Sequence, residues 1–149
     1  MYLSILSEIS TKNKYFKIYK DIVIRGLKRA DTRKKAISLF GYTEGHHIIP
    51  KSFNLVDATD KNNMVYLTSK EHILVHHLLC KFTTGDFQIS AFQAFHCMCN
   101  QENGGKNTRK PSLRQIARSR ELCSIARRTK RGVRGVPIWF KESRDMDVL

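Results

Sequence analysis

Apolar side chains first recur at helical spacing between residues 13 and 40. Phe16, Tyr19, Val23, Leu27, Ala30 and Ile37 follow one another at three- and four-residue steps or their sum, with Lys and Arg between them. That period puts one apolar stripe on a single amphipathic helix over about 13–40. Gly41 and Gly45 close it and begin a turn. His47-Ile48-Ile49-Pro50 is short and β-branched, which predicts an extended segment halted by proline. Residues 51–63 form a polar loop, and Met64-Val65-Tyr66-Leu67 is the returning strand. Thr68 with Glu71 three positions on is a capping box, opening a helix from about Ser69 to Phe82 that stops before Gly85.

A second helix over about 86–99 carries Phe87, Phe92 and Phe95, assigned to the core. Gly104-Gly105 breaks it, and Pro111-Ser112-Leu113-Arg114-Gln115 offers another capping box for a basic helix to about Arg128. Residues 130–149 begin glycine-broken and basic and are expected to be a flexible tail, in which Trp139-Phe140 could dock on the domain or meet a partner. The fold class that follows is α+β, mainly helical. A chain of 149 residues holds one domain with a modest core but hardly two, so 1–129 is expected to be that domain.

A hydrophobic content of 41% excludes a disordered polycation. No apolar run approaches the roughly 20 residues that cross a bilayer. The start, Met1-Tyr2-Leu3-Ser4-Ile5-Leu6, has no basic lead into a long apolar stretch. Four cysteines, Cys80, Cys97, Cys99 and Cys123, are too few for a disulfide scaffold. A reduced, soluble, cytoplasmic protein with no membrane partner is expected.

Charge changes the picture more. The formal net charge is +14, and it is segregated: residues 1–45 carry ten basic and four acidic side chains, 46–100 four of each, and 101–149 thirteen and five. A neutral centre between two basic arms suits a polyanion-binding protein whose centre does chemistry. The contacts expected to hold phosphates are Lys28, Arg29, Arg33, Lys34, Lys51, Arg109, Lys110, Arg114, Arg118, Arg127, Arg128, Lys130 and Arg131.

The neutral centre is rich in imidazole. His72 and His76 are four apart on a helix and share a face, a spacing that can put two ring nitrogens on one metal. His46 and His47 leave a strand in opposite directions, so one can join the helix pair while the other faces a substrate. His77, about 100° further round the helix, is a packing or DNA-facing residue. His96-Cys97-Met98-Cys99 with Cys80 lacks paired C-x-x-C spacing and is assigned to core rather than a second zinc site.

Glu44-Gly45-His46-His47-Ile48-Ile49-Pro50-Lys51-Ser52, then Asn62-Asn63-Met64-Val65-Tyr66-Leu67-Thr68, then Glu71-His72 and His76, resemble the HNH (His-Me finger) endonuclease motif. The flavour is that of phage-encoded proteins of the homing and nicking type. The resemblance covers about 41–82 and implies a central ββα-metal core flanked by basic helices. It also implies roles: His46, His72 and His76 as metal ligands, His47 as the base that deprotonates water, Asn63 as the residue pinning the loop behind His47, and Glu44 as a carboxylate orienting an imidazole. One departure is Phe53-Asn54-Leu55-Val56-Asp57, where many family members have Gly-Gly.

The implied reaction is metal-assisted phosphodiester hydrolysis of double-stranded DNA to 5′-phosphate and 3′-hydroxyl ends. It calls for one divalent ion, Mg, Mn, Ni or Zn, and no small-molecule cofactor. Three imidazoles suit Zn, Ni, Mn or Co better than Mg, which prefers oxygen, although an open site can work with Mg. A monomer that nicks one strand is expected, a dimer being the arrangement that cuts both. If phage-encoded, it would act in the host cytoplasm. The contrasting readings are a non-catalytic, metal-stabilised DNA-binding protein assisting a phage DNA-processing machine, and a toxin-type nuclease.

Overall fold

The computed structural model describes residues 1–100, 112–114 and 116–117. The elements are α1 (Tyr2–Glu8), α2 (Lys14–Arg29), α3 (Arg33–Phe40), β1 (Glu44–His47), β2 (Met64–Leu67), α4 (Ser69–Phe82) and α5 (Gly85–Asn100), with single 3-10 turns at Lys51–Phe53 and Lys61–Asn63. The two strands pair antiparallel with Glu44 opposite Leu67 and His46 opposite Val65. The described part is therefore mainly helical with one small sheet, consistent with α+β. Among the described residues no helix is long and apolar enough to cross a membrane.

The single helix expected over 13–40 is two helices. Ala30 is extended (φ −156°, ψ 130°), and the Thr32 hydroxyl accepts from the Lys35 amide to start α3. Asp31 and Thr32 favour caps over helix interiors, because their short polar side chains compete for nearby backbone groups. The buried face of α2 runs through Phe16, Tyr19, Ile22, Val23 and Gly26, while Leu27 is exposed. At the other end Asn13 caps α2, its side-chain oxygen accepting from the Tyr15 and Phe16 amides at 3.0 and 3.2 Å.

α2 packs on the hairpin at Gly26. A Cβ built there would lie 2.6 Å from Val65 Cγ2 and 2.9 Å from Leu67 Cδ2, so only hydrogen fits at this crossing. Val65 and Leu67 are in turn fully buried among Tyr19, Ile22, Val23, Leu79 and Phe82. α5 adds Ala91 and the partly buried Phe87 and Phe95 to that core. Phe92, expected in the core, is 53% exposed, and Cys97 is exposed as well. Both lie on the outward face of α5. Ile73 of α4 and Met98 of α5 close on Ile116 and Ala117, in a helical stretch within the basic helix expected after Pro111.

The strand expected at 47–50 lies at 44–47 instead. Pairing with β2 decides its position, and Ile48 and Ile49 are buried in irregular backbone beyond it. The strand at 64–67 and the helix from Ser69 to Phe82 stand where the sequence puts them. The capping box is complete: the Thr68 hydroxyl accepts from the Glu71 amide, and the Glu71 carboxylate accepts from the Thr68 amide at 3.0 Å. α1 has no counterpart in the sequence reading. Its Tyr2 hydroxyl donates to the Asp60 carboxylate, and Asp60 caps the turn that carries Asn63.

Candidate metal centre

Alternation along β1 turns Glu44 and His46 inward, and both are buried; Gly45 is exposed and His47 half-buried. The i,i+4 spacing on α4 aims His72 and His76 at the same point. The three rings meet edge to face, with centroids 5.3 Å (His46–His72), 5.0 Å (His46–His76) and 4.8 Å (His72–His76) apart. One ring nitrogen from each falls within 4.8 Å of the others. Among the described residues this trio has the spacing to hold a metal ion.

His72 and His46 are each oriented by a neighbour. Nδ1 of His72 donates to Glu44 Oε2 at 2.5 Å, and the Tyr42 hydroxyl donates to Glu44 Oε1 at 2.6 Å. His72 Nε2 is thereby turned toward His76 Nε2, 3.2 Å away. His46 Nε2 lies 3.0 Å from the Tyr19 hydroxyl, which itself donates to the Ile48 carbonyl at 2.7 Å. His46 Nδ1 is buried without a hydrogen-bond partner. Burial pushes the His46 pKa well below its ordinary value, and the imidazoles of His76, His72 and His47 push it the same way. A neutral ring with a lone pair in a dry site is the form that ligates metal. Three imidazoles and one unpartnered buried nitrogen fit a borderline divalent ion, with a coordination position left for another ligand.

His47 points from the other side of β1. Burial lowers its pKa below 6.5 and the ammonium of Lys51 adds to that, while a hydrogen bond to the Ala58 backbone opposes them. Asn63 holds the backbone just beyond it. Its side chain accepts from the Ile49 amide at 2.8 Å and donates to the Ile49 carbonyl at 2.9 Å, and its own carbonyl accepts from the Ile48 amide at 3.0 Å.

Of the residues expected to hold phosphates, Lys28, Arg33, Lys34, Lys51 and Arg114 are exposed. Arg29 is engaged within the protein: its guanidinium forks onto Glu71 at 3.1 and 2.6 Å and lies 4.7 Å from the centre of the Phe40 ring. Burial alone would raise the Glu71 carboxyl; Arg29 and the Thr68 amide outweigh it and hold the pKa below the ordinary range. Arg109, Lys110, Arg118, Arg127, Arg128, Lys130 and Arg131 lie outside the described residues, as do Cys123, Trp139 and Phe140. His77 packs against the Phe95 ring at 5.1 Å. Burial pushes the Cys80 thiol up to about 11, which suits an inert core group.

Sequence reasoning missed Tyr19 and Tyr42 as partners of the centre. Tyr19 counted only as one member of the apolar stripe, yet a buried tyrosine hydroxyl needs a hydrogen-bond partner, and that need was the available signal.

A hairpin followed by a helix, with three inward imidazoles converging from both, defines a small α+β protein built round a metal-competent centre. Comparison with known proteins makes this specific. The chain is 35% identical over 114 residues to "Probable mobile endonuclease E" of Enterobacteria phage T4, covering 76% of this chain and 72% of that one. It is 41% identical over 68 residues to "Probable mobile endonuclease D" and 42% over 67 to "Probable mobile endonuclease B" of the same phage. Those matches take in 45% of this chain and 24% of each relative. The chain belongs to this family of phage mobile endonucleases. No family model matches it. No solved structure matches it either.

Proposed function

We propose that the chain is a metal-dependent DNA endonuclease of the HNH type, with a ββα-metal core at about 41–82 in a nuclease domain spanning 1–129. The observation that carries this is the convergence of His46, His72 and His76, with His47 leaving the opposite side of the same strand. The relatives' names support a phage endonuclease acting on DNA in the host cell.

His46, His72 and His76 would hold one divalent ion, Mg, Mn, Ni or Zn, which when bound supplies positive charge to the scissile phosphate and to the departing 3′ oxygen. His47 takes the proton from the attacking water. Its lowered pKa keeps it neutral at pH 7, and its bond to the Ala58 backbone restricts the ring's rotation. Asn63 fixes Ile48 and Ile49 and so the backbone from which His47 projects. Glu44 holds His72 in the tautomer whose Nε2 faces the centre. Hydrolysis leaves 5′-phosphate and 3′-hydroxyl ends. Exposed Lys28, Arg33, Lys34, Lys51 and Arg114, with the basic residues from 109 onward, contact phosphates and position the duplex. One centre per monomer makes the product a nick.

Supercoiled plasmid incubated with EDTA, Mg, Mn, Ni or Zn, beside His47→Ala, tests this. Metal-dependent open circles that vanish in the variant are the expected result, and early linear product would point to double-strand cutting. Metal and DNA binding without cleavage, on plasmid and on host and phage genomic DNA alike, would instead make the protein a metal-stabilised DNA-binding accessory.

A further inference from the structure

Tyr19 sits in the buried stripe of α2, yet its hydroxyl reaches the metal centre. The oxygen is 2.7 Å from the Ile48 carbonyl and 3.0 Å from His46 Nε2. A carbonyl only accepts, so the single hydroxyl proton is committed to Ile48. The second bond then forms only if His46 Nε2 carries a proton and donates it to the tyrosine oxygen. A neutral imidazole has one N–H, which leaves the lone pair on Nδ1. That atom is the buried ring nitrogen with no hydrogen-bond partner.

Resting on the metal-dependent reading above, we propose that Tyr19 is a positioning residue: it locks His46 in the Nε2–H tautomer and so makes Nδ1 the nitrogen offered to the metal. The hydroxyl is well placed for this. Tyr19 is fully buried, its ring packs edge to face on His46 (5.9 Å) and Phe82 (5.1 Å), and its proton has a fixed acceptor. Glu44 does the converse for His72, taking the Nδ1 proton and turning Nε2 to the centre. The two buried imidazoles therefore present opposite nitrogens, each selected by the group behind it, which is how outer partners tune a metal site.

The test is long-range 1H–15N correlation on the full-length, metal-free protein, followed by Zn²⁺ titration. His46 is expected to show a protonated Nε2 and an unprotonated Nδ1, and Zn²⁺ is expected to shift Nδ1 more than Nε2. Tyr19→Phe, which removes only the hydroxyl, is expected to populate both tautomers and weaken Zn²⁺ about 10- to 100-fold in a chelator competition. A protonated Nδ1 in wild type, or a Tyr19→Phe protein with unchanged tautomer and affinity, would overturn the inference. The wild-type spectrum decides the tautomer even if the variant folds poorly. Wild type that fails to bind Zn²⁺ would remove the metal-dependent reading and the ligand role together. Normal binding with the wrong tautomer would remove the role of Tyr19 alone.

Discussion

The Asn63 side chain closes both backbone hydrogen bonds of Ile49, accepting from its amide and donating to its carbonyl, 14 positions away in sequence. Both partners are buried, so neither Ile49 group has water as a substitute. Losing the amide strands a donor and an acceptor in the core at once, about 1–3 kcal/mol each. Asn63→Ala is expected to lower unfolding free energy by about 2–4 kcal/mol in urea melts. Where the variant remains folded, cleavage should fall on the order of 100-fold, the scale of a small misplacement of a catalytic group. Unchanged cleavage in a folded variant would detach Asn63 from His47.

As the base proposed above, His47 should set a pH profile. Its pKa lies below 6.5, through burial first and the Lys51 charge second. A base acts in its neutral form, so the cleavage rate should be flat near pH 7 and fall about tenfold per unit below the pKa. The acid limb should have its midpoint under 6.5. Lys51→Gln removes a nearby positive charge and should move that midpoint up. A midpoint that stays put in Lys51→Gln would assign the limb to another group.

Glu71 does two jobs at the start of α4, closing the capping box and receiving both arms of Arg29. Glu71→Ala loses both and should destabilise by about 1–3 kcal/mol in thermal melts. Glu71→Gln keeps a side chain that can complete the box and should lose less. With the folded pKa depressed, the carboxylate's contribution is present above its unfolded pKa and lost as pH falls through the folded one. The difference between wild type and Glu71→Gln should therefore shrink in acid. Equal loss in both variants would make the charge, not the cap, the whole effect.

Gly26→Ala should destabilise despite placing a better helix former in α2. The propensity gain is about 1 kcal/mol, against roughly 1–3 kcal/mol for forcing a methyl onto Val65 and Leu67. Gly26→Ala should cost less in a Val65→Ala background than alone, and a double-mutant cycle measures the difference.

Much of this was legible in the sequence, for local reasons. β2 and α4 stand where expected because Thr68 and Glu71 announce a helix start through contacts only three residues apart. Spacing pairs His72 with His76 and lets one of His46 and His47 join them, the resemblance implies that it is His46, and the structure brings those three rings together. Other features depend on contacts that sequence spacing does not display. The break after Arg29 was hidden because Ala30 and Ile37 keep the helical spacing across it, whereas the structure buries Ala30 and Ala36 and leaves Ile37 only half-buried. β1 is displaced because Glu44 and Gly45 are poor strand formers whose place is set by Tyr66 and Leu67 opposite them. α1 spans seven residues, too few for a helical period to declare itself. Arg29 looked like its basic neighbours until Glu71, 42 positions on, was found beside it.

Along α4 the positions of His72 and His76 and of the core residues Ile73, Val75, Leu78 and Leu79 are all set by one helical phase. Inserting or deleting one residue between Thr68 and His72 would rotate everything after it by about 100°, withdrawing the imidazoles and the core side chains together. Insertions at the exposed positions around Asn54 and Leu55 meet no such phase, because the Ile48–Asn63 backbone bond closes that excursion at its base. Length can therefore change there without moving the core, whereas in the first turn of α4 a single codon gained or lost would withdraw the core and the imidazole trio in one step.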